Sequence, residues 1–149
     1  MISLEYYNKT PVTVSGLIFE ELLDAVNQNG EKIFPKNLDK RKSYCITLTL
    51  VDDELIQKLN KKFRKIDAPT DVISLSYLND QYPGLDVLGE IFISIDSAKK
   101  QADEIGHELL TELKFLFVHG VLHCIGYEHS NEDDFQAMME LTNKIIKPR

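Results

Sequence analysis

Three of the chain's four histidines fall in one short stretch, FLFVHGVLHCIGYEH, residues 115–129. His119 and His123 stand four apart, and His129 follows six residues later. In a helix, an i, i+4 pair projects from one face about one turn apart, which lets two imidazoles reach one ion. Gly126 comes three residues after His123, where a glycine can take the left-handed conformation that ends a helix. The turn it permits swings Tyr127, Glu128 and His129 back, making His129 a candidate third ligand. Three neutral imidazoles would hold one Zn²⁺ and leave a fourth position open to water, the arrangement of a catalytic site. The same set would also accept nickel, copper or iron. Any one of these residues alone reads as a core histidine bonded to a carbonyl. Together in an apolar stretch they read as ligands, because each unpaired buried polar group would cost about 1–3 kcal/mol. His107 lies in the polar stretch DEIGHELL and reads as a surface residue.

The spacing His-x3-His-x5-His is that of the metzincin proteases. Those enzymes need a glutamate directly after the first histidine as general base, and here that position is Gly120. A metallopeptidase therefore stands as an alternative that lacks its base.

The second chemical signal is basic. The chain's formal charge is -7, so its overall field repels polyanions, and a nucleic-acid partner would need a local positive region. The stretch KLNKKFRKI, residues 58–66, supplies Lys58, Lys61, Lys62, Arg64 and Lys65 with no acidic residue among them. Phosphate tracking and solubility ask for the same lysines, and both readings stay open for Lys58, Lys61, Lys62 and Lys65. Thr70 and Asp71 follow a proline and read as turn-fixing, with proximity to the site a secondary role. Glu128 reads either as a hydrogen-bond partner that orients a ligating imidazole or as a surface residue. Tyr127 reads as packing beside the metal or stacking on a base.

These residues need elements to position them. ISLEYYN reads as a first strand. Leu17, Phe19, Leu22, Leu23 and Val26 recur at helical spacing within residues 12–27, with Asn29-Gly30 as a stop. EKIFPKNLDKRK reads as a polar connection. YCITLTLV, residues 44–51, reads as a strand buried on both faces. Asp52 or Asp53 caps a helix whose apolar face is Leu55, Leu59 and Phe63, and DAPTD breaks it. DVISLSY and LGEIFISI read as two more strands around a turn-rich loop. Helices follow from about Ser97, over residues 109–125 and over residues 131–146. The middle one is apolar nearly all round and so belongs at the centre of the domain. Ser130 and Asp133 approximate a capping box for the last helix, where Met138, Leu141 and Ile145 read as core. This order predicts one α+β domain over residues 1–149, with a mixed four-stranded sheet packed with helices around a central buried helix that carries the metal ligands. Apolar residues at 43 % and charged residues at 28 % give an ordinary globular balance. The start lacks a leader pattern and nothing approaches the roughly 18 apolar residues of a membrane span. Cys45 and Cys124 suit a reducing compartment, so a soluble, cytoplasmic protein is expected.

HGVLHCIGYEH closely resembles the H-G-x-L-H-x-x-G-Y-D/E-H signature of the YbeY family of metal-dependent single-strand endoribonucleases. LNKKFRKIDAPTDVIS is similar to that family's block of asparagine, arginine and Pro-Thr-Asp-Val, and LGEIFIS to its Leu-Gly-Asp-Ile strand. The match covers roughly the second two-thirds of the chain. Glu90 and Glu128 stand where the family often has aspartate, and Leu75-Ser76 replaces a usual Phe-Pro, which would alter the shape of the groove. The resemblance implies a zinc-dependent endoribonuclease, one Zn²⁺ per chain, that matures the 3′ end of small-subunit (16S) rRNA and serves ribosome quality control. Its implied partners are ribosomal precursor RNA and ribosomal proteins, with no membrane. It implies that Arg64 is catalytic together with His119. A guanidinium meets two phosphate oxygens with a fork of hydrogen bonds, and zinc acts as Lewis acid or generates the nucleophile. Three candidates for the general base remain: the metal's own hydroxide, Asp71 and the substrate 2′-OH. A ribosome-associated binding factor with a structural zinc is the further alternative.

Overall fold

YCITLTLV is an apolar, β-branched run, and it forms the inner strand β2 (Tyr44–Val51). Strand β1 (Ile2–Asn8) lies parallel on one side of it, with Ile2 opposite Tyr44 and Asn8 opposite Leu50. On the other side β4 (Val87–Ser94) is also parallel, with Ile46 opposite Gly89. Strand β3 (Val72–Ser76) runs antiparallel outside β4, with Ser74 opposite Ile91. The order β1-β2-β4-β3 leaves β1 and β3 as the two edges. This computed structural model describes residues 1–78, 86–128 and 131–146.

The helices are α1 (Leu17–Gln28), α2 (Gly30–Ile33), α3 (Asp53–Arg64), α4 (Ile95–Ile105), α5 (Leu109–Cys124) and α6 (Glu132–Ile146). One face of the sheet carries the main core, where Phe19 of α1, Ile46, Ile91, Phe117 and Val121 of α5, and Met138 of α6 meet. A fully buried side chain of this size contributes about 1.5–3 kcal/mol, so this face dominates stability. Helix α3 is held by a separate, smaller core of Val51, Ile56 and Ile73, with Leu59 and Phe92 packed against it. Because side chains alternate along a strand, Ile73 and Leu75 of β3 turn towards α3 while Ser74 and Ser76 turn towards α5. Helix α5 touches α1, α4, α6, β3 and β4. That central position explains why its sequence is apolar nearly all round. Among the described residues, no helix is long and apolar enough to cross a membrane.

Helix α1 begins at Leu17 rather than near Val12. Residues before it are strapped to β1, with the Asn8 amide donating to Val12 O at 2.7 Å and the Tyr6 hydroxyl to Val14 O at 2.8 Å. The stretch read as a polar connection opens with the single turn α2. Asp52 is the cap of α3, accepting from Leu55 N–H at 2.8 Å. Asp53 serves elsewhere: its Oδ1 takes the hydroxyls of Ser94 and Ser97 at 2.6 and 2.7 Å, tying the start of α3 to the start of α4. At α6 the reciprocal cap is one residue later than expected, with Asn131 Oδ1 accepting from Asp134 N–H at 2.9 Å; Ser130 lies outside the described residues.

Candidate functional site

Residues 115, 119 and 123 are spaced by four, and α5 accordingly presents Phe115, His119 and His123 on one face. The two imidazole rings are 4.8 Å apart between centroids and meet edge-on at 79°. Phe115 stacks against His119 at 5.8 Å and 19°, so the ring that precedes the histidines by one turn sets the plane of the first. Gly120 lies about 100° further round the helix. A Cβ there would stand 3.0 Å from Ile91 Cγ2 of β4. The position that carries a protease's glutamate thus points into the core, away from the histidine face.

Helix α5 stops at a glycine with φ +109, Gly126. Its N–H bonds to His123 O at 3.1 Å, and Tyr127 N–H bonds to Leu122 O at 2.9 Å. The Tyr127 hydroxyl donates to Ile33 O of α2 at 2.8 Å, which pins the turn. Burial raises this phenol's pKa, keeping it a donor. Its ring packs against the main core. Ser76 Oγ donates to Cys124 O at 2.8 Å and ties the end of β3 to the end of α5. Tyr77 just beyond β3 donates to Glu90 of β4. Glu128 is exposed. The predicted third ligand, His129, lies outside the described residues, and among the described residues no group of three potential ligands occurs.

Arg64 is the last residue of α3, and Lys65 ends the helix with φ 62, in the left-handed region. The turn is held from below by Asn60, only 2 % exposed, whose amide donates to Ala68 O at 2.9 Å. Asp71 fixes the entry to β3. Its Oδ1 accepts from Val72 N–H at 2.7 Å and from the Thr70 hydroxyl at 3.4 Å, its Oδ2 from the Gln101 amide at 3.2 Å.

These pieces converge on a groove of about 620 Å³ that runs beside β3 and is lined by Arg64, Thr70, Asp71, His119 and His123. A second, more polar hollow of about 450 Å³ shares Ser74 and His123 with it and continues to Ser76, Tyr127 and Glu128. Asp71 O bonds to Ser94 N–H and Tyr77 N–H to Leu88 O. By alternation, Ser74 and Ser76 direct their backbone groups away from β4, towards the outer edge.

Lys58, Lys61, Lys62 and Lys65 are exposed and stand outside the groove lining. Lys58 approaches Glu54 at 3.9 Å and Lys61 approaches Asp67 at 3.9 Å, exposed pairs of small energetic weight. His107 is not a plain surface residue: its Nε2 is 2.8 Å from Oε1 of Glu112, a buried carboxylate on α5. The sequence reading missed Phe115, Phe135 and Met139 as groove residues. Phe115 was legible, since it precedes His119 by four. By spacing Phe63 belongs to the apolar face of α3, yet it is 44 % exposed and faces the groove.

Residues 17–148 match the profile of the family described as endoribonuclease YbeY. The endoribonuclease YbeY of Heliobacterium modesticaldum is 42 % identical over 113 residues, covering 68 % of each chain. That of Bacillus licheniformis is 44 % identical over 109 residues, 68 % of this chain and 69 % of its own. That of Prochlorococcus marinus is 32 % identical over 154 residues, 95 % of this chain and 86 % of its own. A solution structure from Thermotoga maritima superposes with a TM-score of 0.59 at 23 % identity, covering 96 % of this chain and 89 % of that one. That likeness concerns the fold alone.

Proposed function

This chain belongs to the YbeY endoribonuclease family, and from that premise we propose that it is a zinc-dependent, single-strand-selective endoribonuclease that hydrolyses RNA phosphodiester bonds in the groove beside β3. The observation that carries this is the meeting of Arg64 from α3 with His119 and His123 from α5 along one groove. Two half-buried imidazoles on one helix face, 4.8 Å apart and opening into that groove, are a donor set that fits a divalent ion. His119, His123 and His129 would hold one Zn²⁺, and Glu128 would orient an imidazole from behind. Bound there, zinc supplies Lewis-acid polarisation of a phosphoryl oxygen.

The chain's own residues do the rest. Arg64 binds two non-bridging oxygens through its planar fork and neutralises the charge that builds on them in the transition state. Asn60 and the Lys65 turn hold the end of α3, so the guanidinium reaches the groove from a fixed base. Thr70 and Asp71 hold the start of β3, and Asp71 spends both carboxylate oxygens on that task, which favours a positioning role over that of general base. The packing of Gly120 against Ile91 speaks against a peptidase.

The substrate we assign is the ribosomal precursor, at the 3′ end of the small-subunit RNA. A net charge of -7 argues for delivery by the ribosome or its proteins rather than by long-range attraction. Lys58, Lys61, Lys62 and Lys65 would follow the RNA backbone outside the groove, and the cytoplasm is the expected compartment.

The test is cleavage of an end-labelled single-stranded RNA by the wild type, Arg64→Ala and His119→Ala. Cleavage by the wild type, stopped by a chelator and reduced at least a hundredfold in both variants, supports the reading. Equal cleavage by all three proteins would sink it.

A further inference from the structure

The groove carries an exposed ring, Phe63, that the hydrolytic chemistry does not use. Phe63 comes from α3 and Phe135 from α6, elements on opposite faces of the sheet, yet both rings line the same hollow as Arg64 and His119. They are 44 % and 42 % exposed, although phenylalanine normally buries its ring. The Lys62 ammonium lies 5.2 Å from the Phe63 ring centroid, while Lys62 itself is not part of the groove lining. On the other side of His123 the second hollow is polar, with Ser76 and Glu128.

Resting on the nuclease reading above, we infer that Phe63 forms a stacking platform for an unpaired base next to the phosphate held at Arg64, and that this platform is what selects single strands. Every base has a π-face, so an aromatic wall binds unpaired bases with little regard to sequence. In an A-form duplex those faces are buried in the stack, and the grooves present only phosphates, 2′-hydroxyls and base edges. A duplex can offer Arg64 its phosphates, but it has no free base face to lay on the Phe63 ring. The Phe63 ring stays exposed in the groove beside Arg64 rather than sinking into the small core of α3.

The test is fluorescence-anisotropy binding to the metal-loaded protein of three labelled probes of equal length. The first is a 2′-O-methyl oligoadenylate, the second a ribose-phosphate chain without bases, and the third an RNA duplex. The wild type should bind the oligoadenylate at least tenfold more tightly than the abasic chain, the scale expected for one stacked base. Phe63→Ala should remove most of that preference and leave abasic and duplex affinities unchanged, and Phe63→Tyr should restore it. On a cleavable single strand, Phe63→Ala should raise KM by a similar factor with kcat little altered. Equal binding of the oligoadenylate by wild type and Phe63→Ala, or no wild-type preference for bases, would overturn the Phe63 platform. The binding comparison reads out even if the wild type fails to cut, a result that would count against the nuclease reading alone.

Discussion

At the β1 edge, Asn27 of α1 lays its amide against Ile2, accepting from the backbone N–H and donating to the carbonyl, each at 2.8 Å. A side chain there imitates a neighbouring strand, and residues 9–16 are strapped alongside by Asn8 and Tyr6. At the β3 edge, among the described residues, no strand pairs outside Ser74 and Ser76, and the backbone faces the groove of Arg64 and the histidines. An exposed sheet edge invites unwanted pairing. Among the described residues, the β1 edge is covered and the β3 edge beside the groove is not.

Gly120→Glu should have the largest effect. The new side chain would be driven against Ile91, which is fully buried, and burying a carboxylate there costs several kcal/mol. Thermal unfolding should show a collapse of stability, with no peptidase activity gained. A stable Gly120→Glu protein would mean that α5 does not sit tightly behind the open edge.

Next comes a crossed pair. Arg64→Ala should lower kcat/KM on single-stranded RNA by about a hundredfold or more, the scale of one lost oxyanion donor, while its Tm stays near wild type because Arg64 is exposed. Asn27→Ala should do the reverse. It strips two bonds from the β1 edge and should cost about 1–3 kcal/mol, seen as a Tm several degrees lower with activity per folded molecule unchanged. If either variant moved both readouts, the division of labour between the edges would fail.

The smallest effect concerns Cys45 on β2. Burial, then the hydrogen bond to Glu5, pushes its thiol up to about 11. Its folded-state pKa is raised, so the neutral thiol stabilises the fold below the ordinary thiol pKa of about 8.5. That contribution fades as the pH climbs towards about 11. In a Cys124→Ser background at pH 8, Cys45 should react with a disulfide reagent roughly a hundredfold more slowly in the native protein than in urea. Adding Asn27→Ala should speed the native reaction by loosening β1; an unchanged rate would show that the Asn27 clamp does not guard this part of the sheet.

Much of this molecule is local in origin and legible along the chain. The alternation in ISLEYYN and the β-branched run YCITLTLV gave strands with the observed bounds. Gly126 ends α5 in the positive-φ conformation expected of it, and the i, i+4 histidines share a face. Where the structure departs from the local pattern, a side chain of an adjacent element has intervened. His107 looked like a surface residue until Glu112 came to meet it, and residues 12–16 failed to join α1 because β1 holds them.

What the sequence by itself determined is what dihedral preference and side-chain period control: which segments are strands or helices, where they stop, and which residues share a helix face. What only the tertiary structure decided is who stands across the groove. Arg64 is on α3 and His119 on α5, and the two helices lie on opposite faces of the sheet. They meet at one groove because β3 runs antiparallel at the edge, leaving both faces reachable from the same side. No local period encodes that juxtaposition; it follows from burying two apolar helix faces on one sheet at the same time.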